Sequence, residues 1–131
     1  MNQQPVYKRV MYFDDEARAK LLEGAEIVYR AVSATLGPKS GLVALDHPFG
    51  NPEVIADGVR VAKNIIEQEF EDRAVGVGAK LLSLAAQKTN DEVGDSTTTS
   101  VVLAYAILKS AHAAIENGAN AMILRKGIQK A

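Results

Sequence analysis

The sequence predicts a mainly α-helical domain with a small β-hairpin and one N-terminal strand. Three observations lead there. Apolar residues recur at helical spacing through the long segments, whereas strand-like composition is confined to short Val-rich pieces. Aromatic residues make up 5% of the chain and Trp is absent, so the core has to be aliphatic and alanine-rich, which favours closely packed helices over a β-sandwich. The 131 residues suffice for one domain with a true core and are too few for two independent ones.

Val6 to Phe13 is rich in Val and Tyr and reads as a short strand that needs a partner from elsewhere. Asp14 and Asp15 can cap the helix that follows, in which Leu21, Ala25, Val28 and Val32 recur at helical spacing. That helix runs to about Ala34 and stops before Gly37-Pro38. Gly41 to Asp46 and Glu53 to Ala56 read as two short strands around the loop HPFGNP.

Asp57-Gly58 turns the chain into a second helix, Val59 to about Glu69. The charged run from Glu67 to Arg73 breaks or bends it, with Glu67 to Asp72 as a solvated face. A third helix covers about Val75 to Glu92, with Val77, Leu81, Leu84 and Ala85 on one face. After GDSTTT, a fourth helix runs from about Thr97 to Glu116 and ends at Asn117-Gly118. Its first half is apolar all round, the pattern of a central, buried helix. A last helix begins near Ala119 to Ala121 and is still helical in pattern at Ala131, which leads us to expect a truncated chain.

Composition excludes several classes of function. A net charge of −1, from 15 basic and 16 acidic residues, argues against a nucleic-acid partner. The absence of cysteine removes disulfide frameworks, cysteine zinc sites and thiol catalysis. The first residues hold no signal-peptide pattern, and the longest apolar run, Val101 to Leu108, is short of a membrane span. The expectation is a soluble, cytoplasmic protein with no membrane partner. His47 reads as a solvated loop residue and His112 as a surface or rim residue of the fourth helix; too far apart in sequence and without neighbouring ligands, they support neither a His metal site nor a catalytic triad.

The stretch with most chemistry is Gly94-Asp95-Ser96-Thr97-Thr98-Thr99. It opens a strongly apolar helix, and a helix start offers free backbone N–H groups and partial positive charge to an anion. Three threonine hydroxyls add donors. Asp95 beside a phosphate needs a cation between the two, and Mg²⁺ is the usual one. The alternative is a plain helix cap by Asp95 or Ser96, and the local pattern alone favours that cap. Thr35-Leu36-Gly37-Pro38-Lys39 offers a glycine that lets a ligand approach the backbone, or simply a C-cap and turn; it is not a Walker A loop. Asp57 is either a site carboxylate at a strand-to-helix turn or an ordinary N-cap.

The order TLGPK, VALDHPFG, DGVRVAK, NDEVGDSTTTSVVLA and LRKGIQKA resembles the N-terminal part of the group I chaperonins, the GroEL family, from about Val10 to Ala131. The resemblance implies an ATP-driven protein-folding machine built as rings of identical subunits. Residues 1–131 then correspond to the first half of an equatorial domain, a multi-helix bundle that binds ATP and makes ring contacts. It implies that Thr35, Leu36, Gly37 and Pro38 line the nucleotide site, with Gly94 and Ser96 in the same phosphate loop. By the same resemblance Asp95, Thr97, Thr98 and Thr99 would hold magnesium and phosphates, with Asp95 as the metal ligand, and Asp57 would be the carboxylate that supports hydrolysis. Unfolded polypeptide and a co-chaperonin would engage apical and intermediate domains that this chain lacks.

Three departures from the family pattern stand out. Ala56 occupies the place of a lysine before Asp-Gly, removing a phosphate-facing cation. Ser96 replaces the glycine of GDGTTT, which strains or narrows the loop if positive φ is needed there. The segment Phe70 to Ala79 is about three residues longer than usual, which enlarges a loop between the second and third helices. The leading reading is an ATP-dependent chaperone subunit; the alternative is a non-catalytic assembly module with weakened or lost ATPase.

Overall fold

The computed structural model describes residues 11–37, 41–45 and 49–131. Among them, in chain order, lie α1 (Asp14–Ser33), β1 (Val43–Leu45), β2 (Glu53–Ile55), α2 (Gly58–Glu67), α3 (Arg73–Val93), α4 (Thr97–Glu116) and α5 (Ala121–Lys130). Local chemistry sets most of these bounds. Asp14, Asp15 and Glu16 in the first turn of α1 and Arg30 in its last complement the helix dipole. Asp57, Asp72 and Asn120 each accept backbone N–H bonds at the starts of α2, α3 and α5. The strands pair antiparallel with Val43 opposite Ile55 and Leu45 opposite Glu53, so the hairpin read from sequence forms.

The core is aliphatic and alanine-rich, as the composition requires. Val28 and Val32 of α1, Val61 and Ala62 of α2, Ala79, Leu82 and Ala86 of α3 and Val101 of α4 meet in one cluster, closed from the hairpin side by Ile55. Tyr29 and Tyr105 stack across α1 and α4, ring centroids 4.4 Å apart. Burial pushes the Tyr105 phenol above its ordinary pKa.

Two glycines set the spacing of α1 and α3. A Cβ on Gly24 would lie 2.0 Å from the Val75 carbonyl oxygen, and one on Gly78 would lie 2.1 Å from that of Leu21. The helices therefore touch backbone to backbone at this crossing. This inverts the face expected of α3. Val77, Leu81 and Leu84 point outward, about half exposed, while Val75, Gly76, Gly78, Ala79, Leu82, Ser83 and Ala86 are buried. Small residues win the inward face because they allow the closer approach, and closer approach brings more atoms into dispersion contact.

α4 also departs from expectation. It is apolar all round but not buried all round: Thr97, Val101 and Tyr105 form its buried stripe against α1, α2 and α3, while Leu103, Ile107 and Leu108 are exposed. By length and composition alone α4 is long and apolar enough to cross a membrane, with a mean hydropathy of 1.3 over 18 residues. Its outer side borders an apolar groove of about 550 Å³ between α1, α3 and α4, lined by Leu21, Leu81, Ala104, Ile107 and Ile115 among others. His112 sits at the rim of that groove, its Nε2 3.2 Å from Glu116, in line with the rim position expected.

Two further expectations change. Of the N-terminal strand, Val6 to Val10 lies outside the described residues, and Met11 to Phe13 belongs to no strand. His47 also lies outside the described residues. The charged run does separate α2 from α3, across residues 68–72, but the helix resumes at Arg73, so most of Phe70 to Ala79 is helix rather than enlarged loop.

The reason is Asp72, which is half-buried and paired, whereas Glu67, Glu69 and Glu71 of the same run are exposed as expected. Asp72 Oδ1 accepts from Ala74 N at 2.9 Å, Oδ2 lies 2.9 Å from Lys20 Nζ, and the Tyr12 hydroxyl donates to Oδ2 at 3.4 Å. The hydrogen bond from Lys20 holds the Asp72 carboxyl below its ordinary pKa, helped by the α3 amides, and the same bond raises Lys20. The Asp72 contribution to stability is complete above the ordinary carboxylate pKa and is lost as pH falls through the depressed value. The Lys20 contribution is complete below the ordinary lysine pKa and is lost as pH rises through the raised value. Asp72→Asn keeps an oxygen for the cap but removes the ion pair, so it is expected to flatten both limbs of stability against pH relative to wild type. Thermal unfolding across the pH range checks this; unaltered limbs would contradict it.

Candidate functional site

Three segments distant in sequence converge where α1 ends and where α2 and α4 begin. The point of contact is Gly58, the first residue of α2. A Cβ placed there would lie 2.5 Å from Thr98 Oγ1, 3.1 Å from Thr35 Oγ1 and 3.2 Å from Val32 Cγ1. The Thr35 segment, the Asp57-Gly58 turn and the threonine run are thus neighbours, as the site expected from sequence requires. Beside this contact opens a polar cleft of about 410 Å³, lined among the described residues by Leu36, Asp57, Val59, Asn90 and the run Gly94 to Thr99.

Each side chain is placed by an identifiable local feature. α3 ends at Gly94, whose φ of 75° reverses the chain while its N–H donates to Asn90 O at 2.7 Å. Asp95 follows, its Oδ1 accepting from Ser96 N at 2.6 Å. Ser96 is also left-handed, with φ 65°, so the position where the family pattern has glycine is one that favours glycine. α4 then starts with Thr97, Thr98 and Thr99, and its first closed turn is Ser100 N to Ser96 O at 2.9 Å. The amides of the three threonines precede that bond and have no carbonyl one turn back.

The starts of the helices differ in a way that matters. α2, α3 and α5 have side-chain caps, whereas α1, which starts after Phe13 without the cap expected of Asp14 or Asp15, and α4, which starts after Ser96, have none. The simple cap by Asp95 or Ser96 is therefore not what the turn contains, and the α4 amides stay available to an anion. Thr97 Oγ1 is buried without a hydrogen-bond partner, in a residue 5% exposed. A buried hydroxyl in that state calls for a further polar partner. Asp57 performs its cap, Oδ1 accepting from Val59 N at 3.0 Å, and still lines the cleft. Its two readings are compatible, since a carboxylate has a second oxygen.

Thr35 donates its hydroxyl to Val32 O at 2.7 Å. Leu36 reaches the cleft; Gly37, with φ 88°, makes the turn beyond it, and Pro38 lies outside the described residues. Ala56 is exposed next to Asp57, so the described lining carries two carboxylates and no lysine or arginine. Among the described residues no three His, Asp or Glu side chains gather to hold a metal by themselves. Asp95 would have to share a cation with oxygens brought by a ligand. Sequence reasoning passed over Asn90 and Gly58. Asn90 stands one turn before Gly94, a helical spacing that could have drawn attention to it. Nothing local marks Gly58, because the need for a glycine arises from Thr35 and Thr98.

A mainly helical domain thus brings an uncapped helix start, a threonine run and two carboxylates to one polar cleft. Comparison with known proteins states its kind. Residues 28–131 match the model of the TCP-1/cpn60 chaperonin family. The chain is 47% identical over 124 residues to the protein named "Chaperonin GroEL, chloroplastic" of Gracilaria tenuistipitata var. liui, an alignment that takes in 95% of this chain and 23% of the relative. The chain belongs to the TCP-1/cpn60 chaperonin family. It spans about a quarter of the length of the curated relative it matches.

Proposed function

We propose that the chain supplies part of a magnesium–ATP site and of the ring contacts of a chaperonin subunit that assists protein folding. Residues 1–131 would form the first half of its equatorial domain. The observation that carries this reading is the convergence of the Thr35, Asp57 and Asp95–Thr99 segments on one polar cleft with an uncapped α4. The residues present fit the group. The α4 amides and the hydroxyls of Thr97, Thr98 and Thr99 suit phosphate oxygens, and the unpartnered Thr97 Oγ1 would gain a partner. Asp95 supplies the charge that a phosphate-bridging cation needs. Bound Mg²⁺–ATP would bring the bond to be hydrolysed and the charge neutralisation that phosphoryl transfer relies on. Asp57, held in orientation by Val59 N, would position water with its second oxygen. Identical subunits in a ring, unfolded polypeptide and a co-chaperonin are the partners of this reading, the last two through domains outside residues 1–131. The compartment is the cytoplasm or an organelle such as that of the chloroplast relative.

A second reading, an assembly module with weakened ATPase, is favoured by two observations. The cleft lacks a cation at Ala56, and Ser96 is held in a glycine-favouring conformation. The two readings separate in the intact protein. Asp57→Ala is expected to slow turnover by roughly 10²-fold or more while changing nucleotide affinity little. Ala56→Lys is expected to strengthen nucleotide binding by about 1–3 kcal/mol, the range of charge-assisted hydrogen bonds. ATPase assays and nucleotide titrations beside wild type check both. A wild type without hydrolysis, rescued by Ala56→Lys with Ser96→Gly, would establish the second reading instead.

A further inference from the structure

Gly58 is a glycine that its own backbone does not require. It is absent from the positive-φ glycines Gly37, Gly50, Gly94 and Gly118, and it occupies the first turn of a helix, where alanine is the better helix former. Its reason has to be spatial. The place a Cβ would take is held by two hydroxyl oxygens, Thr98 Oγ1 at 2.5 Å and Thr35 Oγ1 at 3.1 Å, with Val32 Cγ1 at 3.2 Å closing the third side. Thr35 is tied to Val32 O at 2.7 Å and its backbone N–H to the same carbonyl at 3.0 Å, so that side is rigid. Any added bulk must be taken up by Thr98.

Resting on the magnesium–nucleotide reading above, we propose that Gly58 is a positioning residue for phosphate binding. Its missing side chain is what lets the Thr98 hydroxyl keep its rotamer at the start of α4, and so couples the α2 turn that carries Asp57 to the threonine run. A methyl group at Gly58 forces Thr98 to rotate. One other staggered rotamer swings the threonine methyl into the contested space, so relief comes with the hydroxyl redirected or with the α2 start displaced.

The test is magnesium–ATP titration of the intact protein by calorimetry, with thermal unfolding alongside, for wild type, Gly58→Ala, Thr98→Ala and the double variant. Gly58→Ala is expected to weaken binding roughly tenfold, the scale of one lost hydrogen bond to a charged group. The decisive result is non-additivity: the double variant should bind like Thr98→Ala alone, because both substitutions act through one hydroxyl. A merely structural glycine would give additive losses. Should Gly58→Ala fail to fold, the double variant, which lacks the close oxygen, carries the test against Thr98→Ala; a further tenfold loss there overturns the proposal. Unchanged affinity in Gly58→Ala overturns it while leaving the nucleotide reading intact, whereas no binding by wild type overturns both.

Discussion

Asp95→Ala is expected to abolish magnesium-dependent ATP hydrolysis in the intact protein. Asp95 stands at the turn into α4, pinned by the 2.6 Å bond from Ser96 N, next to amides that already attract phosphate. A carboxylate in that position would repel a phosphate unless a cation lay between them, so in the proposed reading its charge would act through the metal. Removing it leaves the phosphates under-neutralised in the transition state, where each lost electrostatic contact costs roughly 10²–10³-fold in rate. Asp95→Asn sharpens the test. The carboxamide oxygen can still accept from Ser96 N and preserve the turn, while the charge is gone. Both variants should lose hydrolysis across a magnesium titration, and both should retain the wild-type thermal transition to within a few degrees. Unchanged hydrolysis in Asp95→Ala would remove Asp95 from the site; full activity in Asp95→Asn would show that the turn matters rather than the charge.

The second large effect is on stability. Gly78→Ala adds one methyl group 2.1 Å from Leu21 O and 2.7 Å from Leu21 Cα. These are backbone atoms, so no rotamer change relieves the overlap, and α1 and α3 must move apart along the crossing that carries much of the core. Alanine gains about 1 kcal/mol over glycine in helix propensity. The overlap outweighs that gain, because overpacking a rigid core contact costs about 1–3 kcal/mol even where side chains can shift. A net destabilisation of up to about 2 kcal/mol is expected, with Gly24→Ala behaving alike against Val75 O. Gly127→Ala is the internal control. Nothing lies within 4 Å of its added Cβ, so propensity acts alone and the helicity of α5 should rise. Denaturant unfolding of the three variants decides the matter; Gly78→Ala as stable as wild type would mean that the helices do not meet through their backbones.

Much of this was legible because it is local. The helix start at Asp57, the start of the last helix near Ala119 to Ala121, the hairpin and the helix span Thr97–Glu116 follow from caps, turns and periodicity within a few residues. The threonine run and the carboxylates around it were readable for the same reason, and the ordered motifs pointed to the chaperonin family that the family model also identifies. The errors on α3 and α4 share a cause. Periodicity located the apolar residues of α3 and α4 but not the face that meets a neighbour: Val77, Leu81 and Leu84 turned out, and α4 kept Leu103 and Ile107 exposed.

By itself, then, the amino-acid sequence determined where most helices begin and end, that the core would be aliphatic, and which short segments concentrate hydroxyls and carboxylates. These depend on backbone and side-chain interactions reaching one turn along the chain. Tertiary structure alone decided that Gly24 and Gly78 form a crossing, that Asp72 ties Lys20 to the start of α3, and that Gly58 stands between Thr35 and Thr98. Each of those roles is created by atoms dozens of residues away, whose distance of approach is set by packing and cannot be read from the residues next to them in the chain.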